Sequence, residues 1–436
     1  MLEAFRILFI LILAWPADVE CIEVNVVITP GDLRSGASGH IREIGLFIHG
    51  LSEDQIVRTN VEIFEDPSRT KLSTAFPLAS KIAERLEGSV RVLSGLSLKP
   101  FNFRRDAALS GCLGFYVDVS LETNDSSSNL ASNCLRVHTH WMEEQVDEIG
   151  SLPFVSVSFP GTHDAGSYKR ADLVKTFLDY YFYSQEEDIF SQLMLGARFF
   201  DLRIGFTPDQ GENPSDWFHI VHSYFITSNR VKTVFEDVRD FLKLYPNEIV
   251  LLDMHRFPVG NWDDETFTLF AELIETELGP WIIRVDPSVR SLEEVLATGR
   301  RVLITCNDDS FLSDLYFKGV VNVWANTDEV TQLHQYFEGN LPRHFRGNRL
   351  YSAMAELTPQ GILPFIFDTY GGGLRGMADR HNFETMLWFR HDRDLRSNTT
   401  IIAMDFFAST DIVEISKRIN LERAKAQLTG RARGAV

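Results

Sequence analysis

From residue 141 onward one pattern recurs: a short apolar run with strand character, a turn, then a stretch with helical spacing. The apolar runs predict strands at 153–159, 197–204, 219–222, 248–255, 301–306, 320–324, 350–355 and 400–407. Between two of them Val231, Val234, Phe235, Val238, Phe241 and Leu242 form one helical stripe, and Ser291-Leu-Glu-Glu opens another helix with a capping box. Strands that alternate with helices belong to a parallel sheet, and a parallel sheet must be covered on both faces. Spread over about 270 residues, that requirement is met by a (β/α) barrel. The units show no internal sequence repeat, so the prediction for 141–420 is α/β, an irregular TIM-like barrel.

Ahead of residue 141 the pattern is different. β-rich runs at 23–28, 41–49, 55–64, 89–93, 114–122 and 134–141 are separated by turn-rich pieces, which predicts a small all-β, sandwich-like domain over 21–140. In the first twenty residues Arg6 precedes an apolar run at 7–15. That run falls well short of the ~20 residues that span a bilayer, so 1–20 reads as a secretory signal peptide. Secretion makes disulfides possible: Cys112 and Cys134 bracket a polar stretch at 122–129 and are expected to pair, while Cys306 ends an apolar strand and reads as a buried thiol. Cys21 has no assigned partner. Asn124 and Asn398 stand in glycosylation sequons. Residues 421–436 read as a C-terminal tail.

Composition narrows the choice of partners. With 42 Lys+Arg against 61 Asp+Glu the formal charge is −19, which argues against nucleic acid. An apolar share of 44% is enough for large cores. Oligomeric state is not legible.

In a barrel, chemistry belongs at the carboxyl ends of the strands. The first strand runs into Ser158-Phe-Pro-Gly-Thr-His-Asp-Ala-Gly, where Pro160 and Gly161 are expected to turn the chain and deliver His163 and Asp164. Period-two geometry puts Asp201 and Arg203 on one face of the second strand, and Asp253 and His255 on one face of a later one. Another candidate strand ends at His222, and Asp405 stands within an apolar run where a carboxylate needs a partner. Other features carry less. His138 and His140 lack a third metal ligand. Gly371-Gly-Gly-Leu-Arg-Gly reads as a flexible loop, Phe365, Phe367 and Tyr370 as core packing, and 431–433 as a frayed end.

Five motifs in order, Trp141-Met, Ser158-Phe-Pro-Gly-Thr-His-Asp-Ala-Gly, Gly196-Ala-Arg-Phe-Phe-Asp-Leu-Arg-Ile, Val221-His and Asn247-Glu-Ile-Val-Leu-Leu-Asp-Met-His-Arg-Phe, give residues 141–419 a resemblance to the phosphatidylinositol-specific phospholipase C X-domain proteins, chiefly the small ones without accessory domains. The resemblance implies a phosphodiesterase or lyase acting on phosphatidylinositol, a glycosylphosphatidylinositol anchor or a related phospholipid during transient contact with a membrane surface, and the signal peptide would make it a secreted one. It makes His163 the base, oriented by Asp405. It makes His222 the acid, supported by Asp164, with Arg203 on the phosphate. Asp201, Asp253, His255 and Arg256 would line the substrate side, with Trp324, Asn326 and Asn307 candidates by location. In the large eukaryotic enzymes two acids on the second strand help bind calcium; here the second is Arg203, as in the bacterial metal-independent enzymes, which implies no metal cofactor. One departure is Ser223, where many relatives have Gly after the second histidine. The alternatives are a catalytically silent lipid or glycan binder, and a metal-dependent phosphodiesterase acting on lysophospholipid or sphingomyelin through Asp164, Asp201, Asp253 and His255.

Overall fold

A computed structural model describes residues 21–32, 42–98, 103–104, 111–123, 126–169, 177–208, 213–307, 316–317, 320–341, 349–361 and 363–433. The signal segment 1–20 and the sequon Asn124 lie outside these residues.

Strands β1 (Glu23–Asp32), β2 (Arg42–His49), β3 (Thr59–Phe64), β4 (Leu72–Pro77), β5 (Ile82–Leu86), β6 (Ser89–Ser97), β7 (Tyr116–Glu122) and β8 (Ser127–Asn133) form two antiparallel sheets. Their orders are β1-β2-β6-β5 and β4-β3-β7-β8. Alternation explains the sandwich: Ile44, Leu46 and Ile48 of β2 face Val61, Ile63, Val117 and Val119 of the other sheet. The opposite face of β2 is also buried, with Phe47 in the barrel's core cluster and its ring 5.1 Å from that of Phe383. Cys112 and Cys134 form the expected disulfide. Cys306 is buried and Cys21 exposed. Two expectations fail here. Residues 134–141 are not a strand, since the helix Trp141–Ile149 begins there, and the strand at this point is the polar β8. Residues 55–58 open instead with the short helix Glu53–Ile56.

The second part is a barrel wall of parallel strands: β9 (Phe159–Thr162), β10 (Phe199–Phe206), β13 (Val250–Val259), β14 (Val302–Cys306), β15 (Tyr316–Phe317), β16 (Val320–Trp324), β17 (Leu350–Met354) and β18 (Ile401–Met404). Its order is β15-β14-β13-β10-β9-β18-β17-β16. Among the described residues no backbone ladder joins β15 to β16. Side chains bridge that flank instead, as Asn307 Nδ2 donates to Val320 O at 2.6 Å. The antiparallel strands β11 (Phe218–His222) and β12 (Phe225–Arg230) form a hairpin on the upper end of β10. The strand read at 219–222 is therefore not part of the parallel wall.

Helices pack outside as their patterns require. All six stripe residues of the helix Val231–Leu244 are buried, and Ser291 closes its capping box on the short helix Leu292–Leu296. The run 153–159 is a 3₁₀ turn, Phe154–Ser156, and the strand starts at Phe159. Pro160 and Gly161 lie inside β9 and do not turn the chain: Pro160 O accepts from Arg198 N at 2.8 Å, and a Cβ on Gly161 would meet the Phe199 ring at 2.8 Å. Gly373 does not belong to a flexible loop but starts the helix Gly373–His391, where Asp368 accepts from the backbone amides of Gly372 and Gly373. Phe367 is not core, being 70% exposed. The last helix, Ile412–Arg433, runs through the expected tail boundary. Asn398 ends the helix Arg393–Asn398 and is 6% exposed, so the folded chain gives that sequon no room for a glycan. No helix among the described residues is long and apolar enough to cross a membrane.

Candidate active site

The candidate side chains come from the wall strands, the residues just past them and the hairpin on β10. His163 and Asp164 follow β9; Asp201 and Arg203 project from β10; Asp253 and His255 from β13. Asp405 is the first residue past β18, beyond the strand and not in its middle. His222 ends β11 and reaches the mouth through the hairpin. The register of β10 against β13 slips between Leu202 and Arg203, a bulge that re-aims these side chains next to the site. Backbone strain marks the same place: Asp164 and Phe406, which follow His163 and Asp405, both hold the left-handed conformation, with φ of 42° and 48°.

The central contacts are direct. His163 Nδ1 donates to Asp405 Oδ1 at 2.7 Å, and Arg203 Nη2 donates to His163 Nε2 at 2.5 Å. Arg203 Nη2 also donates to Asp201 Oδ2 at 3.3 Å, and Nη1 lies 3.7 Å from Asp164 Oδ2. His222 Nε2 lies 3.7 Å from the same Asp164 oxygen, while its Nδ1 donates to Phe182 O at 3.1 Å. The expected support of His222 by Asp164 is thus a charge contact, and a backbone carbonyl sets the ring's orientation.

Burial lowers the affinity of His163 for a proton, but Glu356 and Asp405 outweigh it and raise the ring to about 9. The contact with Arg203 opposes this, because an N–H aimed at Nε2 needs a lone pair there. The ring therefore has a neutral form, capped by the guanidinium as seen here, and a protonated form that requires the guanidinium to withdraw toward Asp201 and Asp164. Burial, with the charges of Arg203 and His163, lowers His222 to about 4. Burial raises Asp164, with Asp201 adding to the effect, whereas Arg203 and His255 overcome burial and keep Asp201 ionised.

The remaining candidates divide. Asp253 has both oxygens engaged, accepting from Thr305 Oγ1 at 2.7 Å and Asn322 Nδ2 at 3.0 Å, and the same Asn322 nitrogen lies 2.7 Å from His255 Nδ1. Arg256 is exposed, with its guanidinium 5.5 Å from the Trp324 ring centre, and Trp324 Nε1 donates to Thr358 Oγ1. Asn326 is held at φ 51° and its carbonyl accepts from Gln360. These lie on the rim. A divalent metal does not fit the acids at the centre, because the Arg203 guanidinium fills the space between Asp201 and Asp164 and the oxygens of Asp253 are spent. Among the described residues one His/Glu/Asp group has metal-like spacing, His334, Glu338 and Asp392, and it stands on the outer helices.

One residue escaped the sequence reading. Glu356, two residues past β17, is 3% exposed with Oε1 3.7 Å from His163 Nε2. The sequence offers only a weak signal for it, a single carboxylate two residues beyond an apolar strand.

No protein-family model matches the chain. The chain is similar to curated proteins named PI-PLC X domain-containing protein 3: that of Danio rerio is 23% identical over 296 residues, covering 62% of this chain and 89% of that protein. The Homo sapiens protein of that name is 21% identical over 307 residues, covering 64% and 92%. The 1-phosphatidylinositol phosphodiesterase of Staphylococcus aureus (strain Newman) is 24% identical over 130 residues, covering 30% of this chain and 38% of that protein. Among solved structures, a mutant phosphatidylinositol-specific phospholipase C from Staphylococcus aureus aligns at TM-score 0.48 and 16% identity over 65% of this chain and 97% of that one. The phosphatidylinositol-specific phospholipase C from Listeria monocytogenes aligns at TM-score 0.46 and 18% identity, covering 65% and 98%.

Proposed function

We propose that this chain is a secreted phosphodiesterase of the phospholipase C type that cleaves an inositol phospholipid or its glycosylated form, with histidines and an arginine doing the work and no metal. The observation that carries the reading is the placement of His163, held by Asp405 at 2.7 Å, beside Arg203 and across Asp164 from His222 in one barrel mouth. A phosphate entering there draws Arg203 onto its oxygens, which uncaps His163 Nε2. The freed nitrogen takes the proton of a headgroup hydroxyl, whose oxygen attacks phosphorus. The bond from phosphorus to the lipid oxygen breaks, and His222 protonates the departing oxygen. The phosphate's negative charge raises the proton affinity of His222, which an empty site depresses. Water then opens the cyclic phosphate with the two histidines in exchanged roles.

The surroundings favour a lipid. Tyr224, next but one after His222, is 82% exposed, and Leu363, Ile366 and Phe367 are exposed on the short helix Leu363–Phe367. Tyr181 Oη donates to Asp368 Oδ1 at 2.8 Å, tying that helix to the segment that carries Phe182 and so to His222. An apolar fringe beside the acid histidine suits a substrate drawn partly out of a bilayer. The similarity to proteins named for phosphatidylinositol cleavage supports the same substrate class.

The test is a lipid panel offered to wild type, His163→Ala and His222→Ala. The reading expects release of the phosphorylated headgroup from inositol lipids in EDTA and a loss of about 10²–10⁴-fold in either variant. Release that needs added calcium would overturn the metal-free mechanism.

A further inference from the structure

His163 and Asp405 meet where their two strands have just parted. β9 and β18 stay in register as far as Thr162 opposite Met404, and His163 N still donates to Met404 O at 3.2 Å. Beyond that point Asp164 and Phe406 both turn left-handed, a conformation that costs free energy in these residues and persists only where the surroundings impose it. Gln185 supplies the hold that the ladder no longer gives. It is 1% exposed; its Nε2 donates to His163 O and to Met404 O, each at 2.9 Å, and its Oε1 accepts from Phe407 N at 3.1 Å. One amide thus spends both N–H groups and its oxygen on three backbone groups, one at the histidine and two on either side of the carboxylate. Its neighbours share the task without replacing it. The Ser184 hydroxyl donates to Asp164 O at 3.1 Å, but Ser184 reaches Phe406 N only through its backbone; Asn382 Nδ2 holds Asp405 O and Ser409 Oγ, both on the Asp405 side. Gln185 is itself fixed, since its backbone N donates to Ser167 O at 3.2 Å.

We infer that Gln185 is a positioning residue for the reaction: its amide locks the segment that bears His163 to the segment that bears Asp405, and so sets the contact between the imidazole and its carboxylate. The effect on rate rests on the phosphodiesterase reading above; the contact itself does not. Without the amide two buried carbonyls and one buried N–H each lose a partner, and the segments on which the two side chains stand are free to shift. A small displacement there turns the ring away from Asp405 and misplaces Nε2, and catalysis is steeply sensitive to such misplacement. No other side chain of this size does the same work. Met offers no polar group, Glu at most one donor, and Asn falls one methylene short.

The test compares wild type with Gln185→Met, Asp405→Ala and the double variant on an inositol lipid. Gln185→Met should lower kcat about 100-fold and leave KM within about twofold, because the side chain is buried behind the pair and does not touch substrate. In the Asp405→Ala background the same change should cost no more than about twofold, since the contact it serves is already gone. His163 is faced by Asp405, Glu356, Arg203 and Asp201. Against burial, Glu356 and Asp405 raise its proton affinity, so a slackened Asp405 should also move the alkaline limb of the kcat/KM profile to lower pH. In wild type the proton on His163 Nδ1 should give a downfield, slowly exchanging NMR resonance, which Gln185→Met should broaden or abolish. If Gln185→Met does not fold, Gln185→Glu takes its place: held protonated by burial, it keeps one donor and the acceptor and should lose about tenfold in kcat. A kcat within about twofold of wild type, or an equal loss with and without Asp405, overturns the inference and leaves the phosphodiesterase reading standing. If wild type cleaves no lipid of the panel, that reading falls and the resonance decides alone: unchanged in Gln185→Met, it overturns the inference.

Discussion

The two histidines are tuned in opposite senses, and this decides how the site responds to pH. His163, raised to about 9, must lose its proton to act as a base; His222, lowered to about 4, must gain one to act as an acid. Between those values the needed pair of states is a minor population, but a constant one, because each step up in pH frees more of His163 and strips as much from His222. Below about 4 His222 is already protonated and only the loss of free His163 remains; above about 9 the reverse holds. The expected kcat/KM profile is therefore flat between about pH 4 and about pH 9 and falls on both sides. A steady-state pH series would show it, and a narrow optimum centred on pH 6.5 would mean that the residues around the two rings do not shift them. Ser223 is the second residue-scale case. Its φ of 54° is left-handed, the conformation in which Gly is at ease, and its side chain is exposed at the hairpin turn. The departure thus falls on the backbone and not on the substrate pocket. Ser223→Gly should keep kcat/KM within about twofold, and Ser223→Val, with a β-branched side chain at positive φ, should lose about tenfold or more as the turn shifts His222.

At the scale of elements, the sequence was informative wherever a strand is both buried and apolar. The spans 301–306, 320–324 and 350–355 match β14, β16 and β17 to within a residue. It was silent on direction. The run ending at His222 has the same composition as a wall strand, but it returns antiparallel on β10, because periodicity encodes which face is buried and not which way the chain runs. It was also silent on β8, Ser127-Ser-Asn-Leu-Ala-Ser-Asn, an edge strand whose polar side chains meet water. The apolar run around Phe154 deceived for the opposite reason: burial at the barrel's foot demands apolar residues whether the backbone is a strand or a 3₁₀ turn. In the site, pairs such as Asp201 and Arg203 were legible because two chemical groups on one face of an apolar strand have few other uses. Glu356, a single acid just past its strand, differs little in sequence from a loop residue, and its meaning comes from a histidine nearly two hundred positions away.

For the whole molecule, the sandwich does not hang from the barrel but is built into it. Sheet β1-β2-β6-β5 is buried on its barrel side by Phe47 against Phe383, and polar groups complete the contact. Asn25 Nδ2 donates to Asp411 Oδ2 at 2.9 Å, His49 Nε2 lies 3.2 Å from the same oxygen, and Ser89 Oγ lies 2.8 Å from His49 Nδ1. All four residues are buried. The barrel elements they touch also hold the site, since Asn382, beside Phe383, donates to Asp405 O at 2.9 Å and to Ser409 Oγ. Removing the carboxylate at Asp411 leaves His49 and Asn25 buried without their acceptor, which for an unsatisfied buried donor costs about 1–3 kcal/mol. Asp411→Ala should therefore lower the denaturant midpoint by a corresponding amount. It should also reduce kcat, because a loosened junction frees the segment that orients His163. Acid gives an independent handle with a definite sign. Burial opposes ionisation of Asp411, but the hydrogen bond and charge of His49 prevail and hold its carboxyl below the usual value. Its stabilising contribution is then complete above about pH 4 and disappears as pH falls through the lowered value. Wild type should lose stability over that acid range more steeply than Asp411→Ala. Parallel acid-stability curves for the two proteins would show that Asp411 does not anchor the sandwich to the barrel.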